Sequence, residues 1–389
     1  MVSRARRTGR GQRAFHAADS WPGSGLCADE CAEPRCFRAC CRRRCPRRPS
    51  CVAAAGAPAD RPYPKHREPL CGDPRRLGGW KQVGRGRHAR RAPRTDGHRG
   101  YSSVKAAIER VGSFQSRYFH EGKSGPAVLL LHGVGMSGAS WLRNVDALGQ
   151  DFRVCAPDLL GNGLTEWGDF PPGPPHPHIL KHLAGLVDHL GWEEFSVVGS
   201  SFGALMAALL YFRMPQRVKK MIAISSASFV ASDEELAVTM KESYANGSSA
   251  VFAPTLGTCQ RRMERICFDP SAVPQELIFM QLTEYAMPWA RKSYEDRMRG
   301  LMDVNTCRPY RVNDKLEELR LPSLLVWGYN DPRALYGRAR EAVKRMPSAR
   351  LVAFERCKHF PHIEHPARFN ELARDFLAGH EDVIQQQIT

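Results

Sequence analysis

The 389-residue sequence contains no long hydrophobic run. A membrane-spanning helix needs roughly 18 or more apolar residues in succession, and no stretch approaches that length. The first residues also lack the charged and then apolar pattern of a secretory signal. We therefore expect a soluble intracellular protein. It is either cytoplasmic or organellar, since an Arg-rich and acid-poor N-terminal segment is compatible with a transit peptide.

Metal-binding patterns are also lacking. Eight of the 13 cysteines lie in residues 1–100, but none is spaced as Cys-x-x-Cys and no histidine stands at a ligand interval from them. This argues against a zinc site, and no metal or other cofactor is predicted. We expect the remaining cysteines to be reduced thiols in or near the core, namely Cys155, Cys259, Cys267, Cys307 and Cys357.

Positive charge is abundant only near the start of the chain. Residues 1–100 hold 24 Lys and Arg against 8 Asp and Glu, whereas residues 101–389 hold 33 against 32. Residues 1–100 are also poor in large apolar residues, which predicts a disordered Arg-, Cys- and Pro-rich extension. The balanced remainder predicts a folded domain over residues 101–389, for which we expect no nucleic-acid partner. The partner expected from the catalytic motifs described below is a small-molecule substrate. The sequence does not indicate which oligomeric state the protein adopts.

From about Phe114 onward, strand-like and helix-like segments alternate. Short apolar runs such as "AVLLLHG", "FRVCAPD", "FSVVG" and "VKKMIAISS" are separated by helical patterns. This alternation predicts an α/β fold with a doubly wound, mostly parallel sheet. From residue 227 to 316 the pattern is helical only, and strands resume at "LPSLLVWG". We expect this helical insertion to form a lid over the carboxyl ends of the strands.

Two adjacent serines follow one of the predicted strands. In "VGSSFGAL", Gly199 and Gly203 frame a Gly-x-Ser-x-Gly pattern centred on Ser201, between a strand and an apolar helix. That context is typical of a nucleophile held on a sharp turn. The pattern therefore predicts Ser201 as the nucleophile, whereas Ser200 points elsewhere.

A serine nucleophile needs a base and a group that orients the base. Asp331 lies in "VWGYNDP" beyond a later strand, and His359 follows the last strand in "RCKHFPHIEHP". The order Ser, Asp, His is the order found with this type of turn. Asp331 and His359 are the predicted partners, with His362 and then His365 as alternative bases.

The oxyanion of an acyl-transfer reaction needs hydrogen-bond donors. The backbone N–H of Phe202, directly after the nucleophile, is one predicted donor, and the N–H of Val134 in the glycine-containing turn "HGVG" is the other. His132 is expected to orient that turn. In the helical insertion, several aromatic residues and arginines are candidates to line an acyl pocket or meet a substrate carboxylate, but core packing and solvent exposure are alternatives: Phe252, Phe268, Phe279, Met280, Tyr285, Met287, Trp289, Arg261, Arg262, Arg265 and Arg291.

Five ordered motifs resemble the α/β-hydrolase fold superfamily over residues 114–379: "LLLHGVG", "PDLLGNGLT", "GSSFG", "VWGYND" and "CKHFPHIEHPARFN". Within it, "SGASWLRNVDALG" and "FDPSAVPQELI" resemble the meta-cleavage product hydrolases, which split carbon–carbon bonds of vinylogous diketo acids. That group usually has Asn before the nucleophile and Trp after the catalytic His, where this chain has Ser200 and Phe360.

The expected function is hydrolysis of a carboxylic ester or related acyl substrate by a Ser-His-Asp triad through an acyl-enzyme. Carbon–carbon bond hydrolysis of the meta-cleavage type is one alternative. A non-catalytic ligand receptor of the same fold is the other.

Overall fold

The computed structural model describes residues 104–380, so the predicted N-terminal extension lies outside the described residues. An eight-stranded sheet forms the centre of this region, in the spatial order β1-β2-β4-β3-β5-β6-β7-β8. The strands are β1 (Lys105–Val111), β2 (Phe114–Glu121), β3 (Ala127–Leu131), β4 (Arg153–Pro157), β5 (Phe195–Ser200), β6 (Val218–Ile224), β7 (Ser323–Gly328) and β8 (Ala349–Phe354).

Along the spatial order of the sheet, each strand from β4 through β3 and β5 to β8 is parallel to the next. Strand β2 is antiparallel to both of its neighbours, β1 and β4. The predicted α/β fold with a mostly parallel sheet is therefore confirmed. The β1–β2 hairpin was not predicted, although Gly112 and Ser113 stand between two strand-like segments. Gly112 has a φ of 59°, which permits the tight two-residue connection.

Twelve α-helices accompany the sheet in the described region. They are α1 (Leu142–Leu148), α2 (His176–His189), α3 (Phe202–Arg213), α4 (Ala227–Val230), α5 (Asp233–Val251), α6 (Leu256–Glu264), α7 (Gln275–Tyr285), α8 (Ala290–Met302), α9 (Val304–Cys307), α10 (Tyr336–Arg345), α11 (Pro361–Glu364) and α12 (Pro366–Ala378).

Both faces of the sheet are covered by apolar side chains. In β3, Leu129 and Leu131 belong to a core shared with α2 and α3, whereas Val128 and Leu130 belong to a core shared with α1 and α12. Successive strand residues point to opposite faces, so a run of apolar residues rather than an alternating one is what such a strand requires. No described helix is long and apolar enough to cross a membrane.

Between β6 and β7 the chain contains helices and no strand, as expected. We call residues 227–316 the helical segment. Its first long helix, α5, begins with the predicted capping box, in which Ser232 and Glu235 bond each other's backbone N–H. Helix α7 begins directly after Pro274, also as predicted. That this segment acts as a lid stays a prediction.

The crevice of the sheet lies where the strand order reverses. The chain passes from β3 outward to β4 and then returns to β5 on the other side of β3. In open α/β sheets, ligands bind beyond the carboxyl ends of strands at such a reversal. The turn after β3 and the turn after β5, which carry Val134 and Ser201, both lie there.

Candidate active site

Ser201 occupies a strained turn between β5 and α3. Its backbone has φ 54° and ψ −120°, a conformation that costs a non-glycine residue on the order of 1–3 kcal/mol. A Cβ atom at Gly199 would lie 2.2 Å from the carbonyl oxygen of Gly203, and a Cβ at Gly203 would lie 2.2 Å from that of Leu131. Both glycines are therefore required by close backbone approach, which explains the Gly-x-Ser-x-Gly pattern physically.

The two serines of the motif occupy different environments. Ser201 lines a cavity, whereas Ser200 is the last residue of β5, is buried, and has a hydroxyl with no hydrogen-bond partner. The backbone at Ser201 is fixed on both sides. Its N–H donates to Ile224 O at 2.8 Å, and the Ser226 hydroxyl donates to Ser201 O at 2.7 Å.

Asp331 and His359 are in direct contact, with His359 Nδ1 2.7 Å from Asp331 Oδ2. Both residues are buried. The other oxygen of Asp331 accepts backbone N–H groups of Arg333 at 2.9 Å and Ala334 at 3.2 Å. Since an ionised carboxylate only accepts, His359 donates from Nδ1, which leaves Nε2 of the neutral ring as an acceptor.

The loops after β7 and β8 are held together by backbone contacts. Asn330 N–H donates to Cys357 O at 2.9 Å, and a Cβ at Gly328 would lie 1.7 Å from Lys358 O. Glycine at position 328 thus allows the close approach that brings Asp331 and His359 together.

Glu364 organises the histidine loop, a role that sequence reasoning missed. Its Oε1 accepts the backbone N–H groups of Lys358 at 3.1 Å and Phe360 at 3.3 Å. Its Oε2 accepts the N–H of Phe268 in the helical segment at 2.5 Å. The position of Glu364 at the end of a short helix after the histidine motif carried no recognisable signal.

The alternative bases have no comparable partner. His362 is fully buried and stacks on Trp141 with ring centroids 4.2 Å apart. Neither of its ring nitrogens has a hydrogen-bond partner in the part of the chain that the structure describes. Burial lowers the pKa of His362 to about 3. His365 places Nε2 3.2 Å from Arg356 O. Neither lines the cavity that contains Ser201 and His359.

The two predicted oxyanion donors border the same cavity as Ser201. Val134 and Phe202 both line it. His132 lies behind the Val134 turn, fully buried, with Nδ1 2.8 Å from Gly133 O and Nε2 accepting from Leu159 N–H at 2.8 Å. Because an N–H can only donate, Nε2 is the acceptor and Nδ1 carries the proton. Burial lowers the pKa of His132 to about 3, so the ring stays neutral.

The cavity is small, with a volume of about 30 Å³, which is room for a water molecule rather than for an extended substrate. Of the residues that the sequence offered as pocket or carboxylate candidates, Arg262 alone lines it. The seven aromatic and methionine candidates of the helical segment do not, and Phe279 and Trp289 are largely exposed. The acyl-pocket interpretation of these seven residues is therefore not supported by their positions.

Two guanidinium groups border the cavity. Arg262 on α6 is buried and donates to Val134 O at 3.3 Å and Gly135 O at 3.1 Å. Arg333, two residues after Asp331, is half-buried and was missed by sequence reasoning. Burial lowers the pKa of Arg333, with Arg262 a further cause. Within residues 104–380, neither guanidinium has a carboxylate within 4 Å.

A buried ionic cluster lies next to the Val134 turn. Arg117 on β2 bonds Asp158 with two nitrogens, at 2.7 and 3.0 Å, and also bonds Glu284 on α7. Asp158 further accepts the backbone N–H of Gly138 at 2.8 Å and Leu164 at 2.9 Å. Burial, with Asp158 as a second cause, raises the pKa of Glu284 to about 7. One arginine thus bonds two buried carboxylates, and burial raises the pKa of Asp158 as well as that of Glu284.

In the described part of the chain, no three His, Cys, Asp or Glu side chains are grouped so as to hold a metal ion. The five described cysteines are free thiols and buried, as expected.

Among proteins of known sequence, the chain is similar to a 2-hydroxy-6-oxononadienedioate/2-hydroxy-6-oxononatrienedioate hydrolase of Paraburkholderia xenovorans (strain LB400). The two are 28% identical over 283 residues, which cover 69% of this chain and 92% of the relative. A 2-hydroxy-6-oxo-2,4-heptadienoate hydrolase of Pseudomonas putida is 24% identical over 296 residues, covering 72% of this chain and 100% of the relative.

Solved structures with the same fold include the 2-hydroxy-6-oxo-6-phenylhexa-2,4-dienoate hydrolase of Rhodococcus sp. strain RHA1. It has a TM-score of 0.61 and 23% identity, covering 71% of this chain and 100% of that one. A serine hydrolase of Cycloclasticus zankles has a TM-score of 0.59 and 23% identity, covering 71% of this chain and 99% of that one. The model of the alpha/beta hydrolase family matches residues 128–372, and the chain belongs to that family.

Proposed function

We propose that this protein is a serine hydrolase in which Ser201 is the nucleophile, His359 the general base and Asp331 the group that orients the base. The substrate is a carboxylic ester or a related acyl compound. One observation carries the proposal. The strained Ser201 turn and His359 border one cavity, and His359 Nδ1 lies 2.7 Å from the buried carboxylate of Asp331.

The proton transfers follow from that hydrogen bond. Asp331 accepts the Nδ1 proton of His359, so Nε2 can take the proton of the Ser201 hydroxyl as the oxygen attacks the acyl carbon. His359 then passes this proton to the leaving group, and an acyl-enzyme remains on Ser201. In the second half of the cycle His359 deprotonates a water molecule, which releases the acid and restores the serine.

Negative charge develops on the acyl oxygen in both halves of the cycle. The backbone N–H groups of Val134 and Phe202 are the proposed donors, and both residues border the cavity. Phe202 is the first residue of α3, where the N–H has no partner within the helix and the helix dipole favours negative charge.

A second candidate function is hydrolysis of a carbon–carbon bond in a substrate that carries a carboxylate. It is favoured by Arg333 and Arg262, two cations at the cavity without a carboxylate partner in the described chain. A desolvated guanidinium is stabilised by an anion, and it binds carboxylates through two parallel hydrogen bonds. The relatives from Paraburkholderia and Pseudomonas are named for dienedioate and heptadienoate substrates, which are carboxylates.

Carbon–carbon cleavage has one further requirement, which concerns the substrate. The leaving carbon departs with the bonding electron pair and must be protonated, so the substrate itself must delocalise that charge. A vinylogous diketo acid can do so, because its conjugated carbonyl accepts the electrons. Ser201 and His359 then act as in ester hydrolysis, with His359 delivering the proton to carbon.

The test compares p-nitrophenyl butyrate with 2-hydroxy-6-oxo-2,4-heptadienoate as substrates for the wild-type protein and Ser201→Ala. We expect turnover of at least one substrate and a loss of about a thousandfold or more in the variant, as for removal of a triad nucleophile. Ser200→Ala is the matched control and should retain turnover within a few-fold. Saturable binding without turnover of either substrate would identify a receptor and contradict the proposal.

A further inference from the structure

Three successive carbonyl groups of the turn after β3 accept hydrogen bonds from side chains. We call residues 133–136 the oxyanion loop, since Val134 lies within it. Gly133 O accepts from His132, Val134 O from Arg262, and Gly135 O from both Arg262 and the Tyr285 hydroxyl. The loop is therefore restrained by these side chains and by its own backbone bond from Met136 N–H to Gly133 O, which is 3.2 Å long.

These donors come from two parts of the chain. His132 precedes the loop and fixes the peptide plane that carries the Val134 N–H. Arg262 on α6 and Tyr285 at the end of α7 belong to the helical segment, and they fix the next two peptide planes. A residue whose flanking peptide planes are both fixed has little freedom to rotate its N–H away from the cavity.

The region around Gly135 fits closely to the helical segment. Gly135 has a φ of 65°, and a Cβ there would lie 3.2 Å from Arg262 Nη2 and 3.3 Å from the Tyr294 ring. Burial raises the pKa of Tyr285, so its hydroxyl is a protonated donor. The neighbouring residue, Glu284, bonds Arg117, which in turn holds Asp158 against the Gly138 N–H. The end of α7 thus contacts the oxyanion loop and, through Arg117 and Asp158, the residues that follow it.

We infer that Tyr285 is a positioning residue for catalysis: with Arg262, it holds the oxyanion loop in the conformation that presents the Val134 N–H to the reacting oxygen. The inference rests on the proposed function. Both bonding side chains belong to the helical segment, so the packing of this segment against the turn after β3 determines the conformation of the oxyanion loop.

The experiment uses Tyr285→Phe, which removes the hydroxyl and keeps the ring, with Tyr294→Phe as the matched control. Among residues 104–380, the Tyr294 hydroxyl bonds Ser243 O and Tyr244 O alone, and both belong to the helical segment. The measurements are kcat and KM for p-nitrophenyl butyrate and the inhibition constant of butylboronic acid, whose tetrahedral serine adduct places an oxygen at the oxyanion position. Titration with a fluorophosphonate counts active sites, so misfolded protein does not enter kcat.

For Tyr285→Phe we expect kcat to fall about tenfold to thirtyfold, less than the loss of an oxyanion donor itself, with KM within about twofold. The boronate should bind more weakly by a similar factor. Tyr294→Phe should stay within about twofold in each quantity. Equal losses in both variants, or an unchanged kcat in Tyr285→Phe, would overturn the inference. Ser201→Ala separates the two possible failures. If Ser201→Ala also retains turnover, the proposed function is wrong. If Ser201→Ala is inactive, only the role assigned to Tyr285 is wrong.

Discussion

The sheet loops and the helical segment contribute to the site in different ways. Ser201, Asp331 and His359 follow β5, β7 and β8. The N–H groups of Ser201 and Asp331 bond the strand-end residues Ile224 and Gly328, whereas the N–H of His359 bonds Ile266 O of the helical segment at 3.2 Å. The helical segment provides side chains that bond those loops, such as Arg262 and Tyr285 to the oxyanion loop, and backbone that bonds the histidine loop, such as Phe268 N–H to Glu364. The groups proposed to react lie on loops that follow strands, whereas the helical segment contributes contacts that hold those loops in place.

This difference predicts unequal effects of substitution. Removing a reacting group from a strand end should abolish turnover and leave the fold, since the backbone fixes the loop. Removing a bonding group from the helical segment should reduce turnover by a smaller factor, because the remaining contacts still restrain the loop. Variants in the two regions can be compared directly.

The largest effect is expected at the histidines. His359→Ala should lower kcat about a thousandfold, because it removes the base and leaves Asp331 without its partner. His362→Ala should retain kcat per folded molecule within a few-fold but should unfold at a lower temperature, since it removes a ring stacked on Trp141. Kinetics with active-site counting and thermal denaturation measure both. Loss of kcat in His362→Ala with His359→Ala active would transfer the base to His362.

A smaller effect is expected at Arg333, which lies beside Asp331 but is proposed to bind rather than react. Arg333→Met should raise KM for 2-hydroxy-6-oxo-2,4-heptadienoate about tenfold and leave KM for neutral p-nitrophenyl butyrate within about twofold. The reason is that the Arg333 guanidinium can form an ion pair with the carboxylate of the first substrate, whereas the neutral ester has no charged group to pair with. Steady-state kinetics with both substrates provide the test. An equal rise for both would assign Arg333 a structural role instead.

The smallest effect is expected at Glu284, where stability rather than chemistry should change. Its pKa of about 7 in the folded protein exceeds the ordinary value of 4.5, so folding favours its protonated form. This contribution is complete below about pH 4.5 and is lost as the pH rises through 7. The other charged groups of this cluster are Arg117, which bonds Glu284, and Asp158, which bonds Arg117. Both remain in Glu284→Gln.

Glu284→Gln keeps the shape of the neutral acid and removes its titration. The free energy of unfolding of the variant minus that of the wild type should therefore be larger at pH 8 than at pH 5. Urea denaturation of both proteins at both pH values measures this difference. A constant difference between the two proteins across this range would show that Glu284 does not titrate there.

The strand ends were the part of the site that sequence could predict. The elbow glycines, the Asp after β7 and the His after β8 are local patterns whose spacing reflects strand and turn geometry. Arg333 and Glu364 lie within a few residues of these motifs yet were missed, because their roles depend on contacts with the cavity and with Phe268. The seven apolar candidates of the helical segment do not line the cavity that contains Ser201, and core packing was the alternative that the sequence left open for them. Composition shows that such residues are apolar, but only tertiary packing decides whether they face the cavity.

The β1–β2 hairpin shows the same limit for the fold. It supplies Arg117, whose partners Asp158 and Glu284 lie 41 and 167 residues away in the sequence. No local pattern predicts a pairing over that distance. The parallel core was predictable because each of its strands is a short apolar run between helical patterns.

We propose Ser201, and not the adjacent Ser200, as the nucleophile of a serine hydrolase. The most direct measurement is to treat the protein with a fluorophosphonate and to locate the adduct by mass spectrometry of the peptide containing both serines. We expect a single adduct on Ser201, loss of labelling in Ser201→Ala, and retained labelling in Ser200→Ala. An adduct on Ser200, or a Ser201→Ala protein that is still labelled, would contradict it.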